Sequence, residues 1–116
     1  LTDGASFALV SDAGTPLVSD PGTRLVRSAI EAGVPIVPLP GPSAVLAALA
    51  GAGLPTDRFT FFGFLPRKGG DRTRTLGELV ALRHTAVLYE APNRLAQTLA
   101  DLAAAGAGER ATVVAR

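Results

Sequence analysis

The sequence has 116 residues, about one ordinary domain, and 47% of them are hydrophobic, enough apolar material for a packed core and too much for a disordered chain. Eleven Lys and Arg against ten Asp and Glu leave a formal charge of +1, so any attraction for nucleic acid must come from a local cluster. With no Cys and one His, a disulfide framework, a thiolate nucleophile and a Cys/His metal site are excluded, and no metal is expected. The apolar runs, such as residues 44–50, fall well short of the roughly 20 residues that span a bilayer. No signal-peptide pattern opens the chain, and the expectation is a cytoplasmic protein without a membrane partner. The chain starts without Met on what reads as the last turn of a helix, so an internal fragment is expected.

Residues 7–10 (Phe-Ala-Leu-Val) are a short apolar run ending in Ser11-Asp12-Ala13-Gly14, the pattern of a buried strand that stops at a loop. From Thr23, Leu25, Val26, Ala29 and Ile30 recur at helical spacing until Gly33 and Pro35 stop the helix. Residues 35–39 read as a second strand, irregular or at an edge because of its prolines. After Pro40-Gly41-Pro42, residues 43–52 read as a helix with Ser43 as its cap or first-turn residue. Gly53-Leu54-Pro55-Thr56-Asp57-Arg58 combines chain breakers with polar residues and marks a domain boundary, with residues 1–55 on one side and 56–116 on the other. Beyond it, residues 59–64 read as a strand, 65–72 as a basic Gly-containing loop and 73–83 as an amphipathic helix. Residues 86–89 read as a strand, 93–105 as a helix and 111–115 as a last strand. Strands alternating with helices predict an α/β fold, made of parts of two open α/β sheets. In such sheets ligands bind outside the carboxyl ends of strands, which singles out the loops after Val10, Leu39 and Leu88.

The first of these loops, residues 11–22, holds two Gly, two Pro and two Asp. Gly14 permits close approach of the backbone, and Pro16 and Pro21 restrict the loop. It has neither the Lys nor the Gly spacing of a phosphate-binding P-loop. An ordinary turn with Asp20 capping the next helix explains it equally well. The second, Pro40-Gly41-Pro42-Ser43-Ala44, offers free amides at a helix start and small residues beside them. The third, Tyr89-Glu90-Ala91-Pro92-Asn93-Arg94, taken alone reads as a capped helix start.

Together the loops resemble the ribosomal RNA ribose methyltransferase branch of the tetrapyrrole-methylase superfamily. The resemblance runs through Ala8-Leu9-Val10-Ser11-Asp12-Ala13-Gly14-Thr15-Pro16, Ser19-Asp20-Pro21-Gly22 and Pro38-Leu39-Pro40-Gly41-Pro42-Ser43-Ala44. It continues in Gly53-Leu54-Pro55-Thr56-Asp57-Arg58-Phe59, Gly63-Phe64-Leu65-Pro66-Arg67-Lys68 and Tyr89-Glu90-Ala91-Pro92-Asn93-Arg94-Leu95. These blocks keep the family's order and spacing over nearly the whole chain. The neighbouring corrin and porphyrin methylases usually carry Gly-Asp-Pro where this chain has Gly14-Thr15-Pro16.

The resemblance implies two α/β (αβα) domains of a class III methyltransferase, with S-adenosyl-L-methionine folded into the cleft between them. It implies donor contacts at Ala13, Gly14, Thr15 and Val18 on the first loop, Ser43 and Ala44 on the second and Glu90 on the third. It further implies 2′-O-methylation of a cytidine ribose in small-subunit ribosomal RNA, and a homodimer at full length. Arg67, Lys68, Arg72 and Arg74 fall within eight positions with only Asp71 against them. Such a cluster is often a solvated basic loop, but beside the resemblance it reads as a phosphate-contacting surface for RNA. Two other readings stay open: a tetrapyrrole C-methyltransferase, and a non-catalytic module that only binds or dimerises.

No catalytic base is assigned. Glu90 and Asp12 are the carboxylates on candidate loops, and nothing in their spacing chooses between them. His84 precedes a strand at the end away from the cleft and reads as a surface histidine. A hydrolase built on Ser11 or Ser19 with Asp20 and His84 fails, because neither Ser lies in a nucleophile elbow and His84 sits at the wrong strand end.

Overall fold

The computed structural model describes residues 3–116, in two compact units that divide between Ala44 and Val45. The helical turn expected at the start of the chain includes residues outside that range.

In the first unit the helical spacing after Gly22 becomes α1 (Thr23–Glu31). Its start is Gly22, without the side-chain cap expected from Asp20. Its end is the one Gly33 predicts: with Gly33 at φ +71, its amide bonds Ile30 O at 3.0 Å and that of Val34 bonds Ala29 O at 2.9 Å. This pair of bonds satisfies carbonyls that a helix end leaves unpaired. Ala29 is the sole buried residue of this unit among those described, while Leu25 and Ile30 are exposed.

Residues 7–10 and 35–39, expected as strands, form no ladder, and neither do residues 111–115. A strand exists only against a partner that takes its N–H and C=O groups. Among the described residues these segments have none, and Phe7, Val10, Val37, Leu39 and Val114 are exposed. Apolar patterning marks where a strand would pair but cannot supply the neighbour.

The helix α2 (Ala44–Ala52) is made of Ala, Leu, Val and one Gly, with Val45 and Leu49 buried at i,i+4 spacing. Gly53, at φ +64, ends it. In the second unit β1 (Phe59–Phe64) and β2 (Thr85–Tyr89) pair in parallel, as a strand-helix-strand unit requires. The register aligns Phe59 with Thr85 and Phe61 with Val87, then slips before Phe64 meets Tyr89. Buried Gly63, at φ +64, lies in the slip.

Between these strands runs α3 (Gly69–Ala81), which starts four residues earlier than its apolar spacing predicts. Gly69 and Gly70 are poor helix formers, but Asp71 in the first turn complements the helix dipole and Arg72 is anchored inward. Leu76 and Leu79 carry the buried face. After β2 a 3₁₀ turn (Pro92–Arg94) leads into α4 (Leu95–Leu102), which passes into a π turn (Ala103–Ala107) and breaks at Gly106, φ +110. Val45, Leu49, Leu65, Leu76 and Leu79, with Thr98 and Arg72, are buried in this unit. The α/β class therefore holds, carried by the β1-α3-β2-α4 sequence. Among the described residues no helix is long and apolar enough to cross a membrane.

Candidate functional site

Two of the expected donor loops meet within the first unit. Thr15 Oγ1 donates to Pro42 O at 3.0 Å, joining positions 27 residues apart. Gly14 lies at this junction with φ +72, and a Cβ on it would stand 3.8 Å from Pro42 O. Ala13 is exposed beside it, and its carbonyl accepts a bond from Ser11 Oγ at 3.0 Å. The loop then carries two residues in the left-handed region that are not glycine, Leu17 at φ +74 and Ser19 at φ +60, on either side of exposed Val18. Such conformations cost about 1–3 kcal/mol each and cluster at ligand-binding turns. Sequence reasoning had no access to this strain, because neither residue type advertises it. Gly22 closes the loop: at φ +129, a Cβ there would meet Leu9 Cδ2 at 3.0 Å and Leu17 Cδ2 at 3.5 Å. Ser43 and Ala44 fall at the entry to α2, directly after the Pro42 carbonyl that Thr15 bonds.

A hydrogen-bond network in the second unit organises the ends of β1 and β2. Arg72, a buried side chain on the first turn of α3, donates from Nε and Nη2 to Asp101 Oδ2 at 2.9 and 2.7 Å. It also donates from Nη2 to Thr98 Oγ1 at 3.0 Å and from Nη1 to Pro66 O at 2.9 Å. Thr98 Oγ1 in turn donates to Glu90 Oε2 at 2.6 Å, while the Ala91 amide donates to Glu90 Oε1 at 2.8 Å. Arg94 Nε lies 3.4 Å from Glu90 Oε1, and its Nη2 donates to Leu65 O at 3.4 Å. Gln97 Nε2 completes the set on Asp101 Oδ1 at 2.7 Å.

The Glu90 side chain is only 4% exposed. Burial pushes its carboxyl up, but the bonds from Thr98 and the Ala91 amide, with the charges of Arg94 and Arg72, outweigh burial and hold it below the ordinary value. Asp101 is lowered too, by its bonds from Gln97 and Arg72. Glu90 is thus a carboxylate with both oxygens engaged, poorly arranged to accept a substrate proton.

The four expected RNA-contacting cations separate into three kinds. Arg72 is corrected from a surface contact to an internal anchor, because four hydrogen bonds occupy its guanidinium. Arg74 is exposed but sits 2.8 Å from Asp71 and 4.0 Å from Glu78. Arg67 and Lys68 are exposed, with no ion pair among the described residues, on the turn between β1 and α3. His84 lies at the start of β2, away from these loops, as expected, but half-buried, with Nε2 2.8 Å from Thr60 Oγ1. Arg110, unnoticed in the sequence, clamps the end of α3 by donating to Leu79 O, Leu82 O and His84 O at 2.9, 3.2 and 2.9 Å.

The first unit thus holds two glycine-bearing loops, one of them strained, cross-linked by a hydrogen bond, and the second holds a parallel strand-helix-strand unit whose strand-end turns are tied by a buried arginine. The profile of the Tetrapyrrole (Corrin/Porphyrin) Methylases matches residues 1–116, and the chain belongs to that family. It is 53% identical over all 116 residues to the ribosomal RNA small subunit methyltransferase I of Mesorhizobium japonicum, covering 40% of that protein. The proteins of the same name from Vibrio cholerae and Escherichia coli O157:H7 are 51% and 49% identical over the whole chain, which covers 40% and 41% of them. The chain thus spans about two fifths of the length of these curated relatives.

Proposed function

We propose that the intact protein carrying this sequence is an S-adenosyl-L-methionine-dependent methyltransferase that methylates a cytidine ribose 2′-hydroxyl in small-subunit ribosomal RNA. The observation that carries the donor assignment is the Thr15 to Pro42 bond. It joins the two loops that the family resemblance marks, with Gly14 in a left-handed conformation at the junction. The RNA assignment follows the relatives' names, supported by the exposed pair Arg67 and Lys68. A tetrapyrrole offers these cations only its few carboxylates, whereas RNA presents a phosphate at every nucleotide. We take the domain joint within residues 53–58, giving domains of residues 1–55 and 56–116, and the full-length protein as a cytoplasmic homodimer.

The donor supplies an electrophilic methyl group on a sulfonium. Its methionine carboxylate suits the backbone at residues 13–15, which Gly14 leaves open to close approach, with the small Ser43 and Ala44 across the Thr15–Pro42 junction. Val18 adds an apolar wall. Glu90 serves by fixing the backbone turn at Ala91 through its own bonds, and no catalytic base is assigned to it. Rate enhancement then rests chiefly on orientation, the hydroxyl being held in line with the methyl group.

The test is methyl transfer from labelled donor by the intact protein, offered undermethylated small ribosomal subunits or a precorrin-type tetrapyrrole. Label in RNA alone is expected. Label in the tetrapyrrole alone would replace this reading with the C-methyltransferase one.

A further inference from the structure

The carboxyl ends of β1 and β2 border an open groove of about 540 Å³, lined on one side by the third of the expected loops, residues 89–94, and by neither loop of the first unit. One wall is Phe64, Pro66 and Arg67 on the turn after β1, and the other is Ala91, Asn93 and Arg94 after β2. Phe64 is 55% exposed, and its ring rests against Tyr89, centroids 5.4 Å apart, with Phe61 on Tyr89 at 5.0 Å. An exposed aromatic ring held against a second, tilted ring offers a stacking partner for a planar base. Arg67 carries an unpaired charge at one end and exposed Asn93 offers both a donor and an acceptor on the other wall. Internal bonds hold the two walls in place: Arg72 to Pro66 O on the first, and Arg94 between Glu90 on its own turn and Leu65 O across the groove. The groove therefore needs little reorganisation to accept a ligand.

We propose that this groove takes one unstacked nucleotide of the substrate RNA, its base lying on Phe64 and its phosphate against Arg67. The combination of a supported aromatic, a free guanidinium and a neutral amide suits single-stranded RNA, whose splayed bases stack on aromatic side chains and bond along their edges. A duplex keeps its bases stacked and cannot fill it. The inference rests on the RNA reading above, and Arg72 enters as a positioning residue for the Pro66 wall rather than as a phosphate contact.

The experiment is anisotropy of labelled oligocytidylate with the intact protein, comparing wild type, F64A, F64W and the R67A/K68A double variant. F64A is expected to weaken binding roughly tenfold, the loss of one base-aromatic stack, and F64W to restore it. Unchanged binding in F64A overturns the groove, as does a loss that F64W does not restore, since that reduces Phe64 to packing on Tyr89. If R67A/K68A weakens binding while F64A does not, the RNA reading stands and the groove fails. Wild-type protein that binds neither oligocytidylate nor small ribosomal subunits removes both.

Discussion

Gly14 shows how much can hang on one residue. Its φ of +72 is costly for any side chain and worst for a β-branched one. A Cβ there would sit in ordinary van der Waals contact with the Pro42 carbonyl, at 3.8 Å, and the methyl groups of Val would extend beyond it into the junction. Gly14→Val in the intact protein should lower donor affinity at least tenfold by calorimetry, and unchanged affinity would remove this loop from the donor site. Glu90 makes a different prediction. Its carboxyl is lowered in the folded protein, so the folded state binds fewer protons than the unfolded state just below the usual carboxylate pKa, about 4. The stability it contributes is present above that range and is lost as pH falls through the lowered value. Glu90→Gln should flatten the acid limb of a stability-pH curve measured by urea denaturation, while wild type keeps a steeper fall. The left-handed glycines and the strand-end position of Glu90 are legible in the sequence. The partners of Glu90 and Arg72 are not, because Thr98 and Asp101 lie on α4, 8 and 29 positions away, and only the tertiary fold aligns them.

Elements were legible where local chemistry decides them. β1 spans residues 59–64 as its aromatic run predicts, and α1 stops at Gly33, whose left-handed turn completes the bonds that end the helix. The start of α3 was not legible, since two glycines argue against a helix that the anchoring of Arg72 nevertheless holds. Its end depends on Arg110, which closes three carbonyls from outside the helix. Arg110→Ala should destabilise the fold by about 1–3 kcal/mol, the cost of charge-assisted bonds to carbonyls left half-buried. Urea unfolding tests this, and a change within a few tenths of a kcal/mol would make the clamp incidental. The turn before α3 carries the RNA prediction. Replacing Arg67 and Lys68 together with Ala should weaken RNA binding and reduce the slope of log K against log salt by roughly one per lost phosphate contact, with donor affinity unaltered. An unchanged slope and affinity would take this turn out of the RNA surface.

For the whole chain, the three segments that read as strands without forming a ladder leave Val10 and Leu39 each 80% exposed, with Phe7 and Val37 close behind. Apolar runs with unpaired backbone are templates for pairing with another chain. The 116 residues expressed alone should therefore associate, and light scattering should report species larger than a monomer. A monodisperse monomer with a cooperative thermal transition would contradict this. Family membership rests on the whole chain, whereas substrate and donor belong to a protein of the relatives' length, of which this sequence covers about two fifths. The most direct measurement is therefore mass spectrometry of nucleosides from small-subunit RNA treated with the intact protein and S-adenosyl-L-methionine. A single new 2′-O-methylcytidine is the predicted product; a methyl group on a base, or unmodified RNA alongside a methylated tetrapyrrole, would contradict the account.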